Sequence, residues 1–337
     1  MNDVNRRDAL TMLGGAAAAA TAGVTQAAHA AQGRGPGPRL GSPSKTMYWV
    51  ATVTPCNANG QFDPGAMRAI MQWHRSQGAD GVVVLGTSGE FTSFSVAERK
   101  QIAEVALKNK NGLNVIVGPG TSNIPETIEL SRHAQANGAD GLLVIPPFYF
   151  NQPPIGGLTA YYRQLFDAVS IPINLYHIPG TSEVAITLEL MNNLRDYPHL
   201  AGIKDSSGST EGYAQFVSAF PALNMRCGTS NNLEPALTAG MGTILADGNM
   251  WSSRCADIFK AYRANADWKA QLQRLRATQA IMRPAAQGAN TYAAMKYVLG
   301  LQMGGPRMYA RVPYDQLTDA QMASMKAAYD RVRAEVA

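Results

Sequence analysis

One lysine of this 337-residue chain differs in its setting from the others. Lys204 closes the short apolar run Leu200-Ala201-Gly202-Ile203. Lys100, Lys108, Lys110, Lys260 and Lys326 instead fall in stretches of helical period or at their ends, where a cation is ordinarily solvated. Successive residues of an extended run point to opposite faces, so Gly202 and Lys204 share one face and Ile203 and Asp205 the other. With Ile203 packed outward, the amine points into the interior and Asp205 is turned away from it. Burial disfavours an ammonium and favours the free amine, the form that attacks a carbonyl carbon. The alternative for such a lysine is a buried ion pair with an acid from another run. Tyr176 ends a second run of this kind, Ile173-Asn174-Leu175-Tyr176. A phenol held within hydrogen-bond reach of a bound molecule can give and take a proton, although a strand-end tyrosine alone also fits simple packing. A third candidate is the small-residue turn Gly86-Thr87-Ser88-Gly89-Glu90. Its backbone N–H groups and the Thr87 and Ser88 hydroxyls suit a carboxylate, with Glu90 bracing the turn; a plain loop is the other reading.

These residues are useful only if something holds them together, and the chain has a regular beat that does so. Apolar or β-branched runs predict strands at 48–54, 81–85, 115–117, 142–145, 173–176, 200–204, 225–227 and 243–246. Helical period predicts helices between them at 64–77, 96–109, 124–137, 157–169, 188–194, 210–220 and 233–239, with another after Ser253. Gln77-Gly78-Ala79-Asp80-Gly81 and Asn137-Gly138-Ala139-Asp140-Gly141 repeat one helix-to-strand turn, with glycine where a helix end adopts the left-handed conformation. Eight β-then-α units predict an α/β fold, a (β/α)8 TIM barrel. The rival, a doubly wound open sheet, ordinarily carries a glycine-rich dinucleotide turn. Gly118-Pro119-Gly120 has neither the later glycine nor room for its proline in that fingerprint. The barrel is expected over 46–267, with a C-terminal helical extension over 268–337. Barrel sites form where the strands end, and Thr87, Tyr176 and Lys204 all fall at such ends.

Hydrophobic residues make up 46% of the chain and charged residues 16%, the balance of a globule with a large core. The net charge of +5 is scattered, without the basic clusters that a nucleic-acid partner requires. Cys56, Cys227 and Cys255 are too far apart for a disulfide framework or a CxxC metal site. His74, His133, His177 and His199 show no ligand spacing, so no metal is expected. At the N-terminus, Arg6-Arg7 precedes a mild Ala/Gly-rich stretch that ends at Ala28-His29-Ala30. This is similar to a twin-arginine export signal over 1–30, followed by a Gly/Pro-rich linker over 31–45. Export to the periplasm is expected, without stable membrane insertion after processing, because the stretch is too short and glycine-rich to span a bilayer.

At the residues that open this section the chain resembles the dihydrodipicolinate synthase/N-acetylneuraminate lyase family of class I aldolases. Four segments carry the resemblance: Gly86 to Glu90, Leu175-Tyr176-His177-Ile178-Pro179-Gly180, Gly202-Ile203-Lys204-Asp205-Ser206-Ser207-Gly208, and Gly242-Thr243-Ile244 running on to Asn249. The match extends from about Met47 to Asn249, with a family-like helical tail. It implies a Schiff-base lysine at Lys204, a proton-transferring tyrosine at Tyr176 and a carboxylate-holding hydroxyl pair at Thr87 and Ser88. Ile244 is then expected to line the pocket. It further implies a small 2-oxo acid substrate, pyruvate or a sugar-derived or aromatic derivative, chemistry without a metal or organic cofactor, and a homotetramer or homodimer.

Two departures bear on the activity. In the lysine-pathway synthases the turn after the tyrosine continues Pro-Gly-Arg, and that arginine holds a second carboxylate; here the run is Pro179-Gly180-Thr181. The family's second tyrosine, often donated across a dimer, falls in Pro147-Phe148-Tyr149-Phe150-Asn151, at either Tyr149 or Phe150. His177 and Trp251 either shape the far side of the pocket or simply pack. The expected activity is therefore that of a pyruvate-dependent aldolase distinct from a true dihydrodipicolinate synthase. The alternatives are a 2-keto-3-deoxy sugar acid dehydratase and an exported protein that binds a 2-oxo acid without turnover.

Overall fold

A run such as Gly81-Val82-Val83-Val84 buries both of its faces only when the sheet is covered on both sides, as in a parallel sheet wrapped by helices. The computed structural model describes residues 47–334, and there eight parallel strands close into a barrel, with β1 returning to pair with β8. They are β1 (Tyr48–Ala51), β2 (Gly81–Val84), β3 (Asn114–Val117), β4 (Gly141–Val144), β5 (Ile173–His177), β6 (Leu200–Asp205), β7 (Asn224–Cys227) and β8 (Thr243–Leu245). Every expected strand is present, the first of them ending three residues early. The expected helical extension follows the barrel as Trp268–Ala285, Thr291–Met303 and Asp319–Ala334. The export signal at 1–30 and the linker at 31–45 lie outside the described residues, as do residues 335–337. Among the described residues no helix is long and apolar enough to cross a membrane.

Local chemistry sets the helix ends. Asp63 accepts the Ala66 N–H at the start of Pro64–Ser76, and Asn123 accepts the Glu126 N–H at the start of Ile124–Ala136. Ser95 and Glu98 form a reciprocal capping box that starts Val96–Lys108. The repeated turn ends two of these helices with Gly78 at φ 90° and Gly138 at φ 79°, in the left-handed region where a side chain is costly.

The strand that carries Lys204 has an irregular start. Ile173 pairs with Leu200, but Asn174 pairs with Gly202, so Ala201 is an extra residue bulged out of β6. Beyond the bulge the pairing is regular, with Tyr176 beside Lys204 and Lys204 beside Arg226. Gly202 sits at φ 153°, and a Cβ there would stand 1.9 Å from the Asn224 carbonyl oxygen. Only glycine lets β6 and β7 approach this closely, and that approach fixes where the next inward residue, Lys204, emerges.

Candidate active site

In-register neighbours of a parallel pair point the same way, so the pairing of Tyr176 with Lys204 places phenol and amine side by side. Lys204 Nζ donates a hydrogen bond to Tyr176 Oη at 3.1 Å and lies 4.3 Å from the centroid of that ring. The same phenol oxygen lies 3.2 Å from Thr87 Oγ1. Three residues from the ends of β2, β5 and β6 thus form one hydrogen-bonded line. Lys204 and Tyr176 are each 4% exposed, so the line is nearly dry. Gly228, just past β7, leaves room for the lysine stem: a Cβ there would stand 3.0 Å from Lys204 Cε.

Burial alone raises the Tyr176 phenol, but the Lys204 charge and hydrogen bonds to Thr87, Lys204 and Ser206 outweigh it, and the phenol ionises below its ordinary range. Among the described residues Lys204 has no ion-pair partner, so the buried ion pair weighed for it from the sequence is not formed. Asp205 is buried on the other face of β6, where its carboxylate accepts the Ser207 N–H at 2.8 Å. His177 lies beside it in register, and its Nδ1 accepts the Ile186 N–H at 3.0 Å. Burial pushes the imidazole down, and Asp205 offsets this only in part. His177 packs edge-on against Phe216.

The other expected residues are placed as follows. Ser88 is buried next to Thr87 in the turn Thr87–Gly89, and Ile244 is fully buried in β8 beside Trp49. Tyr149 is not brought to this line within one chain. It is 84% exposed, with φ 87°, and makes an edge contact with Phe150, itself 79% exposed. Trp251 is buried on a separate cleft with Asp247, Gln279 and Arg283. Among the described residues no three His, Cys, Asp or Glu side chains are grouped to hold a metal ion.

Two features went unread in the sequence. The first is the set of partners of Glu90, which was expected only to brace the Thr87 turn. Glu90, left-handed at φ 52°, buries its carboxylate against the Lys296 ammonium and accepts the Arg311 N–H at 2.8 Å. Lys296 also donates to the Tyr309 carbonyl at 2.7 Å. The helical extension therefore clamps the turn that carries Thr87. The second is a cleft of about 520 Å³ beside Thr87, lined by Phe91, Phe148, Thr181, Tyr292 and Tyr314. Tyr292 and Tyr314 come from the extension, and their rings lie 4.5 Å apart. The usable signal was Lys296 itself, a lysine amid the apolar residues of Thr291–Met303.

The model of the dihydrodipicolinate synthetase family matches residues 45–331. An uncharacterized DapA-like lyase of Chloroflexus aurantiacus is 33% identical over 290 residues, covering 84% of this chain and 96% of that protein. The 4-hydroxy-tetrahydrodipicolinate synthase of Acidiphilium cryptum is 30% identical over 285 residues, covering 83% of this chain and 95% of that one. Among solved structures, YagE, a prophage protein of the dihydrodipicolinic acid synthase family from E. coli K12 in complex with pyruvate, superposes with a TM-score of 0.78. It is 28% identical, over 85% of this chain and 98% of YagE. An eight-stranded parallel barrel followed by C-terminal helices is typical of the dihydrodipicolinate synthetase family, whose members are class I, Schiff-base-forming lyases. This chain belongs to the dihydrodipicolinate synthetase family of such lyases.

Proposed function

We propose that this lyase is a pyruvate-dependent aldolase that cleaves a 4-hydroxy-2-oxo acid to pyruvate and an aldehyde. The observation that carries the reading is the line from Lys204 Nζ through Tyr176 Oη to Thr87 Oγ1, at 3.1 and 3.2 Å. Lys204 adds to the 2-oxo carbon, and loss of water from the carbinolamine gives an iminium. Thr87 and Ser88 hold the substrate carboxylate, and Ile244 lines the pocket. Tyr176 takes the proton of the C4 hydroxyl while the C3–C4 bond breaks and its electron pair passes to the iminium as an enamine. The aldehyde leaves, the phenol returns its proton to C3, and water releases pyruvate and restores the amine.

The cleft beside Thr87 supports an aldehyde as the second product. Its lining is mostly aromatic rings and hydroxyls, with the acid Glu90 and no lysine or arginine, and Thr181 stands where the lysine-pathway synthases carry an arginine. Such a wall suits an aromatic or hydroxylated chain better than a second carboxylate. The exposed Tyr149–Phe150 pair supports assembly with a second copy, and the twin-arginine-like leader supports a periplasmic location. The test is pyruvate release coupled to lactate dehydrogenase over sugar-derived and aromatic 4-hydroxy-2-oxo acids. Turnover with stoichiometric aldehyde is the expected result. Loss of water without pyruvate identifies a dehydratase and overturns the aldolase reading.

A further inference from the structure

Among the described residues, the cleft at the starts of the strands is lined by an arginine with no acid at ion-pair distance. Arg226 lies inside β7, in register with Lys204, and is 1% exposed. Its Nη1 donates to Asn174 Oδ1 at 2.6 Å, two residues upstream of Tyr176 on β5. The guanidinium carbon lies 5.5 Å from the centroid of the Trp49 ring. All three side chains line a cleft of about 560 Å³ that opens between the starts of β4, β5, β6 and β7, at Asp140, Pro172, Pro198 and Ala222.

The hydrogen-bond inventory of this cleft is unbalanced. Arg226 Nε and Trp49 Nε1 are buried donors without a partner. Asn174 accepts the Arg226 bond, and its Nδ2 donates to the Leu142 carbonyl at 3.2 Å. His199 at the mouth is tied by Nε2 to the Phe166 carbonyl at 2.9 Å. The acid of the rim, Asp140, is taken by Lys110 Nζ and the Val115 N–H, both at 2.7 Å. Among the described residues no carboxylate lies within ion-pair distance of Arg226. A buried cation without a counter-charge and buried donors without acceptors are both costly. One bound acceptor of negative charge relieves both. Burial brings the guanidinium down to about 10, which leaves it charged at neutral pH.

We propose that Arg226 and Trp49, with Asn174 fixing the guanidinium, form a binding site for a small monovalent anion at the N-terminal mouth of the barrel. A single charge is specified because one guanidinium faces the cleft and the acid at its rim is already neutralised. The cleft's lining includes none of Lys204, Tyr176 and Thr87, so the proposal does not depend on which reaction they perform. A halide or a small carboxylate satisfies the same chemistry, so both serve as probes.

The test uses the full chain at constant ionic strength, with sodium gluconate replaced stepwise by sodium bromide or sodium formate. At about ten times Kd the wild type is expected to gain roughly 2–4 °C in Tm, saturably, with at least one of the two anions. Arg226→Leu is expected to show no such gain. Because that variant can fail to fold, Trp49→Phe is the second arm: it keeps the cation, removes one donor, and weakens the midpoint about tenfold. Crystals of the wild type soaked in bromide are expected to show an anomalous peak against Arg226 Nε. A flat Tm in the wild type, an unchanged midpoint in both variants, or a water in place of bromide at Arg226 overturns the proposal.

Discussion

Replacing Lys296 by Met perturbs the clamp on the Thr87 turn while preserving most of the side-chain volume. The Glu90 and Lys296 side chains are both wholly buried. Glu90 Oε1 meets the ammonium at ion-pair distance without a directed hydrogen bond, and Oε2 accepts the Arg311 N–H at 2.8 Å. Lys296→Met therefore leaves a dry carboxylate with one backbone donor. Breaking a buried pair from one side costs about 3–5 kcal/mol. For a domain of this size that is a fall in Tm of roughly 6–20 °C. Glu90→Gln combined with Lys296→Met removes both charges and is expected to recover about 2 kcal/mol relative to the sum of the single variants. Urea and thermal melts of the four proteins close the cycle, and pyruvate release run in parallel should fall with the loosened turn. The reasoning is refuted if Lys296→Met loses under about 1 kcal/mol, or if the two single effects simply add.

Tyr176→Phe removes the oxygen shared by Lys204 and Thr87 and is expected to lower kcat about 10²–10⁴-fold with little change in KM, measured by coupled pyruvate release; a loss under threefold contradicts its proton-transfer role. His74 is fully buried, and burial lowers it from 6.5 to about 3. Above its unfolded value it is neutral in both states and contributes no pH dependence; below it only the unfolded chain takes the proton, so stability falls as pH drops. At pH 5 the cost is about 2 kcal/mol, which His74→Gln should remove from the acid limb of urea melts. If the limb keeps its slope in the variant, the buried neutral imidazole is not its source. Gly202→Ala drives a Cβ into the Asn224 carbonyl at the close approach of β6 and β7, and is expected to cost about 3 kcal/mol in thermal melts. A neutral result shows that the strands can part there.

The barrel was legible because each unit announces itself locally. β-branched runs, capped helices and the repeated Gly78 and Gly138 turns recur in order, and each is decided by residues a few positions apart. The Lys204–Tyr176 pair was legible for the same reason: each side chain ends its own run, and closure of the sheet sets the runs in register. The alternation argument held because the extra residue of β6, Ala201, precedes Gly202 and leaves the phase of Lys204 intact. Contacts between distant parts of the chain carried no such signal. Glu90 meets Lys296 and Arg311 more than two hundred residues away, and Tyr292 and Tyr314 reach the Thr87 cleft from a segment read only as a helical extension. Arg226 stood in a strand run and gave no hint of a cation without an acid. Tyr149 and Phe150 both project into solvent from the single chain.

The central claim is that the Lys204 amine forms a covalent bond with a 2-oxo acid. Incubation with pyruvate and sodium borohydride, followed by peptide mass spectrometry, tests it directly. The account predicts a reduced pyruvyl adduct on the peptide that contains Lys204, absent from Lys204→Ala. An unmodified protein, or an adduct confined to another lysine, contradicts it.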